Sequence, residues 1–294
     1  MKTSKFSFSF SRRFRACLDL LHLGLWKRKA LAIVTKHFMK RVILSRKGFD
    51  SKYGGRPSPI FKNDDIFSLP IPQNGKSPKK YHELKFNGIN GTQALKEVSA
   101  TQVTSEDFCH YDPALNDKIG LFGQAGSAQS ELKNNDVGIG DLFLFFGWFK
   151  KTENPKIDIH KIFGWLQIEE ILEGDKQISN FLKKHNLSHP HDPKYRKYKN
   201  NTIYVSRKNF GLFKKFSKKL VLSAPNHKKS MWQFPKKYFA SAAKKKSNIF
   251  LNRLKWKDNR KLLVDTNIGP GQEFIFDAQE VPDISLWAKS LTEE

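Results

Sequence analysis

Two Phe-Gly-Trp triplets, Phe146-Gly147-Trp148 and Phe163-Gly164-Trp165, constrain this chain more than any other feature. The first ends the apolar run Leu142-Phe143-Leu144-Phe145-Phe146, and the second opens Ile162-Phe163-Gly164-Trp165-Leu166-Gln167-Ile168. A polar stretch, residues 150–160, separates them. Short apolar runs bounded by polar segments read as strands, so two adjacent strands joined by a loop are expected. Glycine inside a strand lets another backbone or a flat ligand approach closely. A neighbouring tryptophan supplies a stacking face. The expectation is a sheet or small barrel with an aromatic-lined pocket. With Phe163, Trp165 and Gln167 on one strand face, that face has the makings of a base pocket. The alternative for each tryptophan taken singly is a place in the core.

Further strands are expected over residues 41–45, 66–71, 203–206, 219–223 and 274–277. Helices are expected over 93–98, 176–185 and 284–291, with a short one that ends near Asn134-Asn135. Segments 238–245 and 248–254 fit either state. Helices and strands mix without regular alternation, which favours α+β over a doubly wound sheet. The predicted fold is a mixed, largely antiparallel sheet, or a small barrel, with peripheral helices.

Charge narrows the partner class. The 294 residues carry 53 Lys+Arg against 28 Asp+Glu, a formal net charge of +25. Such a balance favours nucleic acid, an anionic surface or phosphate-bearing substrates. The competing account is codon bias, because Lys, Asn and Phe are all abundant. Residues 1–38 hold nine Lys/Arg against Asp19 alone. They read as a basic extension before a single domain over 39–294, with Met39 a candidate start. Any helix in 16–37 would then pack poorly. Cys17 and Cys109 lack CxxC spacing, which argues against a disulfide framework or structural zinc and fits a reducing cytoplasm. No apolar run approaches the ~20 residues of a membrane span.

Four constellations could carry chemistry. Ser45-Arg46-Lys47-Gly48-Phe49-Asp50-Ser51, followed by Gly54-Gly55, sets hydroxyls, cations and a carboxylate at a strand end. Such a segment can hold phosphate, with Asp50 as base or orienting group, or it can be a solvated turn. His110 with Asp112, and His189 with His191 and Asp192, suit acid-base work. The three histidines and two aspartates could also form a metal site, but their spacing matches no standard zinc motif, so metal is the minority reading and no cofactor is named. Gln124, Gln129 and Gln167 could read base edges, with Trp148 and Trp165 stacking an extruded base. Finally, residues 194–246 interleave lysines and arginines with aromatics, a composition that suits distorted or single-stranded nucleic acid.

Together these residues resemble the nucleotide modification associated domain 3 family. The resemblance rests on Ile43-Leu44-Ser45-Arg46-Lys47-Gly48-Phe49-Asp50-Ser51, Gly54-Gly55-Arg56-Pro57-Ser58-Pro59, Ser68-Leu69-Pro70-Ile71-Pro72 and His110-Tyr111-Asp112-Pro113. It continues through Phe122-Gly123-Gln124-Ala125-Gly126, residues 138–147, His189-Pro190-His191 and Gly271-Gln272-Glu273-Phe274, and covers residues 40–290. It implies an α+β domain that acts in modification of bases in DNA. The strand pair over 140–168 is also similar in style to PUA-like barrels of the EVE, ASCH and YTH type, which bind modified or flipped bases; this is fold-level analogy. The leading expectation is recognition of a modified or flipped base or nucleotide in an aromatic pocket. The alternative is an enzyme that modifies a base or nucleotide through Asp50, His110, Asp112, His189 and His191. The partner in both is nucleic acid, DNA first, or a nucleotide.

Overall fold

In a computed structural model the described residues are 39–153, 158–245, 256–266 and 273–293. The chain divides into residues 1–38 and 39–294, and the described residues all lie in the second unit. The basic extension 1–38 with any helix in 16–37, segment 248–254 and the Gly271-Gln272 pair lie outside them.

The two triplet runs form the longest strands. Numbering the principal strands in chain order, these are β1 (Arg41–Arg46), β2 (Ser58–Ile60), β3 (Gly120–Gln124), β4 (Leu142–Lys151), β5 (Asp158–Gln167) and β6 (Glu170–Glu173). They continue with β7 (Thr202–Ser206), β8 (Phe210–Leu212), β9 (Met231–Gln233), β10 (Trp256–Asp258), β11 (Leu263–Asp265) and β12 (Glu273–Asp277). The main sheet runs β8-β5-β4-β1-β12, and β2 also pairs with β4. β1 and β2 lie parallel to β4, whereas β4/β5, β5/β8 and β1/β12 are antiparallel. A second antiparallel sheet runs β6-β7-β3, and a third runs β9-β11-β10. Five helices accompany them among the described residues: α1 (Gly91–Glu97), α2 (Gly126–Asn134), α3 (Asp175–His185), α4 (Lys236–Lys245) and α5 (Asp283–Thr292). The class is α+β with mixed, largely antiparallel sheets. The barrel alternative is corrected: the described strands close no barrel, and the main sheet ends at β8 and β12.

β4 is apolar at nearly every position because both of its faces are covered, as strands buried on two sides require. Phe143 and Phe145 meet Phe122 of β3 at 4.8 and 4.9 Å, and Tyr204 of β7 covers Phe143 at 5.0 Å. On the opposite face Phe146 meets Trp232 of β9 at 4.9 Å. Behind that layer Phe239 of α4 and Trp287 of α5 pack at 5.2 Å.

The glycines of both triplets admit backbone. A Cβ at Gly147 would lie 2.8 Å from the Lys47 carbonyl oxygen, and one at Gly164 would lie 2.9 Å from that of Gly211. A bulge falls between Phe145 and Phe146, where Gly164 pairs with Phe145 and Ile162 with Phe146. The extra residue is Phe163, which turns toward Phe145 and Phe149, while Trp165 stands opposite Leu144. The expected common face of Phe163 and Trp165 is thereby lost, since one inserted residue reverses the alternation.

Two expected strands are absent. Residues 66–71 carry Pro70 and form only a bridge at Ile66, because proline removes a ladder donor. Residues 219–223 lie in a 3-10 turn, Lys218–Leu220, and isolated bridges. Residues 238–245 resolve as helix within α4. No described helix is long and apolar enough to cross a membrane.

Candidate functional site

His110, Asp112, His189 and His191 arrive from two segments far apart in sequence and meet beside β3. Asp112 precedes a cis proline, Pro113, and its Oδ1 accepts the Gly123 backbone N–H at 2.8 Å. His110 is fixed by its own N–H, which donates to the Ile71 carbonyl at 2.8 Å. After α3, Asn186 takes a left-handed conformation at φ 51°, and the chain turns through His189-Pro190-His191. His191 lies against β3 at Gly123, where a Cβ would come within 2.4 Å of its ring. Glycine is therefore required there for the imidazole to take its seat.

The distances are short. His189 Nε2 is 3.2 Å from Asp112 Oδ1, and His110 Nε2 is 3.8 Å from Asp112 Oδ2. The ring centroids of His110 and His191 are 5.5 Å apart, and those of His189 and His191 are 5.6 Å apart. Asp112, His189 and His191 are buried, whereas His110 stays partly exposed. Burial lowers the pKa of His110 to about 4 and of His191 to about 3, so both rings are neutral near pH 7. The Asp112 carboxyl is held below its ordinary value. Burial opposes this, but the His189 contact and the charge of Lys47 prevail.

The amide oxygens around the cluster orient two of the rings. His110 Nδ1 lies 2.8 Å from Gln73 Oε1, and His191 Nδ1 lies 2.8 Å from Asn201 Oδ1. Tyr198 stacks on His191 at 4.5 Å and 14°, with the Arg196 guanidinium 5.1 Å from the Tyr198 ring. Gln73, His110, His191, Arg196 and Tyr198 bound an open cleft of about 560 Å³, lined also by Tyr53, Gln124 and Lys199. That volume suits a nucleotide-sized ligand, at roughly 300–1,000 Å³. Asp112 lies behind the two rings and borders instead a second cavity of about 210 Å³, lined mainly by apolar side chains such as Phe67, Phe86, Phe163 and Phe213.

A second polar group adjoins the first. Glu273 is buried on β12, and its Oε1 accepts from Ser45 Oγ at 3.0 Å and Gln124 Nε2 at 2.6 Å. Lys47 Nζ is 3.8 Å from the same oxygen and 4.4 Å from the Phe122 ring centroid. Burial raises the Glu273 pKa, and the Lys47 charge partly offsets this. Lys47 thus faces both clusters.

The other expected site residues lie elsewhere. Arg46 alternates to the opposite face from Ser45 and Lys47, where its charge acts on His160. Asp50 closes a turn, its Oδ1 accepting from the N–H groups of Lys52 and Tyr53 at 2.7 Å each, and Ser51 is exposed in that turn. Gln129 Oε1 accepts the Tyr204 hydroxyl at 3.0 Å in the core. Gln167 Nε2 donates to the Gly140 carbonyl at 3.0 Å. Trp148 lies under Lys229 Nζ at 3.9 Å, and Trp165 packs on Phe213 at 4.8 Å. Neither tryptophan lines either cavity. Gln73, Asn201 and Glu273 were not among the expected site residues, although Glu273 lies in the Gly271-Gln272-Glu273-Phe274 stretch that carries the resemblance. Glu273, an acid directly before the apolar run Phe274-Ile275-Phe276, offers the one local signal among them.

No curated protein matches the chain, and no solved structure matches it. A family model described as nucleotide modification associated domain 3 matches residues 41–277. That match spans both polar clusters and most of the chain, and it shows that the chain belongs to the nucleotide modification associated domain 3 family.

Proposed function

We propose that the chain is an enzyme that modifies a nucleobase or nucleotide, in DNA first, at the cleft over His110, Asp112 and His191. The observation that carries this reading is the meeting of two neutral imidazoles, His110 and His191, in the lining of a cleft of nucleotide size, with the Asp112 carboxylate buried against them. Arg196 and Lys199 at the cleft suit a phosphate group. Tyr198 and Tyr53 offer aromatic surface for a base. The His110 and His191 rings, neutral near pH 7, offer lone pairs rather than positive charge to a group bound in the cleft. His189 and the Gly123 amide hold Asp112 in place. A reducing cytoplasm suits the buried free thiol of Cys109.

The test is to express the chain and its Asp112→Asn variant in a bacterial host and compare nucleosides from DNA, RNA and the free pool by mass spectrometry. The expected result is a nucleoside mass change present with the wild type and lost with the variant. Identical profiles from both would overturn the enzyme reading.

A second reading, recognition of a modified or flipped base, is favoured by the apolar cavity beside Asp112, to which Phe163 of the second triplet contributes. Leu212→Trp, which fills that cavity, would then abolish a preference for modified oligonucleotides, while Asp112→Asn would leave it standing.

A further inference from the structure

The orientation of two amide side chains fixes the chemistry at the centre of the cluster. Gln73 Nε2 donates to the Lys76 carbonyl at 3.0 Å, so its Oε1 is the atom facing His110 Nδ1. Asn201 Nδ2 donates to the His191 carbonyl at 2.9 Å and to Asp175 Oδ1 at 3.1 Å, so its Oδ1 faces His191 Nδ1. Both histidines therefore carry hydrogen on Nδ1, and in the neutral rings both Nε2 atoms present lone pairs. Asp112 is similarly divided. Its Oδ1 accepts the Gly123 N–H and faces His189 Nε2. His189 Nε2 carries hydrogen in the neutral ring, because His189 Nδ1 accepts the His191 backbone N–H at 3.2 Å. Oδ2 is left directed at His110 Nε2 at 3.8 Å. One ligand atom from each of His110, Asp112 and His191 lies within 4.8 Å of the other two. Three electron-pair donors thus face one another, a grouping that a shared cation relieves.

We infer that His110, Asp112 and His191 bind one divalent transition-metal ion, with its remaining coordination positions open to the cleft. Two imidazoles and one carboxylate suit zinc, iron(II) or a neighbour in that row better than magnesium or calcium, which prefer all-oxygen sites. Ligand bonds of about 2.0–2.2 Å would require the three side chains to draw inward by roughly 1 Å. The supporting shell has the form that metal-bound histidines use, each donating its other ring N–H to a fixed oxygen. The spacing of these residues along the chain matches no zinc motif, because the fold brings together positions about eighty residues apart. An ion here would supply Lewis acidity or an activated water to the reaction proposed above. Its binding needs no nucleotide, so failure of either reading can be recognised separately.

The test uses the whole chain after dialysis against a chelator. Zn²⁺ and Co²⁺ are added singly, with Mg²⁺ as a hard-cation control, and stoichiometry is read by elemental analysis and the Co²⁺ visible spectrum. The expected result is one Zn²⁺ or Co²⁺ per chain, a cobalt spectrum typical of nitrogen and oxygen ligands, and no uptake of Mg²⁺. Asp112→Asn and His110→Ala should abolish stoichiometric binding. Gln73→Ala, which leaves all three ligands in place, should weaken it by roughly 10–100-fold. Circular dichroism of each variant guards against loss by unfolding. Absence of stoichiometric binding by the wild type, or binding that survives both His110→Ala and Asp112→Asn, would overturn the inference.

Discussion

Lys161 offers the sharpest physical test of the fold. Its side chain is fully buried on β5, and its Nζ donates to the Ile162 carbonyl at 2.9 Å. The rings of Phe149 and Phe213 lie 5.9 and 6.0 Å away, and no carboxylate among the described residues pairs with it. Burial alone lowers its pKa from 10.5 to about 7. A lysine depressed in the folded state binds fewer protons there than in the unfolded chain between pH 7 and 10.5, so stability rises with pH across that window. At about 1.4 kcal/mol per pKa unit, the penalty is about 5 kcal/mol at pH 6 and falls to about 2 kcal/mol at pH 9. Lys161→Met keeps the length of the side chain and removes the charge. The variant should be the more stable protein at pH 6, and its advantage should shrink by about 3 kcal/mol by pH 9. Urea unfolding of both chains at pH 6, 7.5 and 9 measures this, with the other titrating groups cancelling in the difference. Stability curves that run parallel from pH 6 to pH 9 would refute the reasoning.

Other expected outcomes concern the glycines, the tryptophans and the second polar cluster. Gly123→Ala drives a Cβ into the His191 ring and should cost about 1–3 kcal/mol in chemical denaturation, while disabling the cleft in the metal titration described above. Gly147→Ala should cost a similar ~1–3 kcal/mol by forcing the Lys47 carbonyl away, and hydrogen exchange should report faster opening at Lys47. Trp165→Ala should lower stability by about 2 kcal/mol yet leave nucleotide binding, measured by calorimetry, within twofold of wild type. Burial holds the Glu273 carboxyl above its ordinary pKa, so its contribution to stability should fall as pH rises from 4.5 through the raised value. Glu273→Gln should flatten that part of the unfolding profile.

The paired runs of β4 and β5 were legible because nearly unbroken apolar residues bounded by polar ones leave few other states. The helices at 175–185 and 283–292 were legible from their periodicity. The bulge at Phe163 was not, since alternation assumes an unbroken ladder and nothing local marks the extra residue. At the site, the histidines and Asp112 announced themselves by residue type. Their supports did not: Gln73 and Asn201 are ordinary loop amides until tertiary structure sets each beside an imidazole. Arg46 and Lys47 were read as a pair, but successive residues at a strand end point apart, so Lys47 and not Arg46 faces the clusters. For the tryptophans residue type left both readings open, because a stacking surface and a core filler have the same composition.

The hydrogen bond from Ser45 to Glu273 joins positions 228 residues apart, and β12 completes the main sheet by pairing with β1. During synthesis from the N-terminus, β1 therefore waits until residues 273–277 are made before it gains its second neighbour. Until then Val42, Ile43 and Leu44 lie on an unpaired, strongly apolar edge of the kind that invites association with other chains. Loop closure over such a distance also makes this pairing a slow, late event. A product that stops short of Glu273 would lack both the edge cover and the carboxylate that anchors Ser45, Lys47 and Gln124. The polar machinery is thus assembled only in chains extended past Glu273, and products truncated before it should accumulate as aggregates.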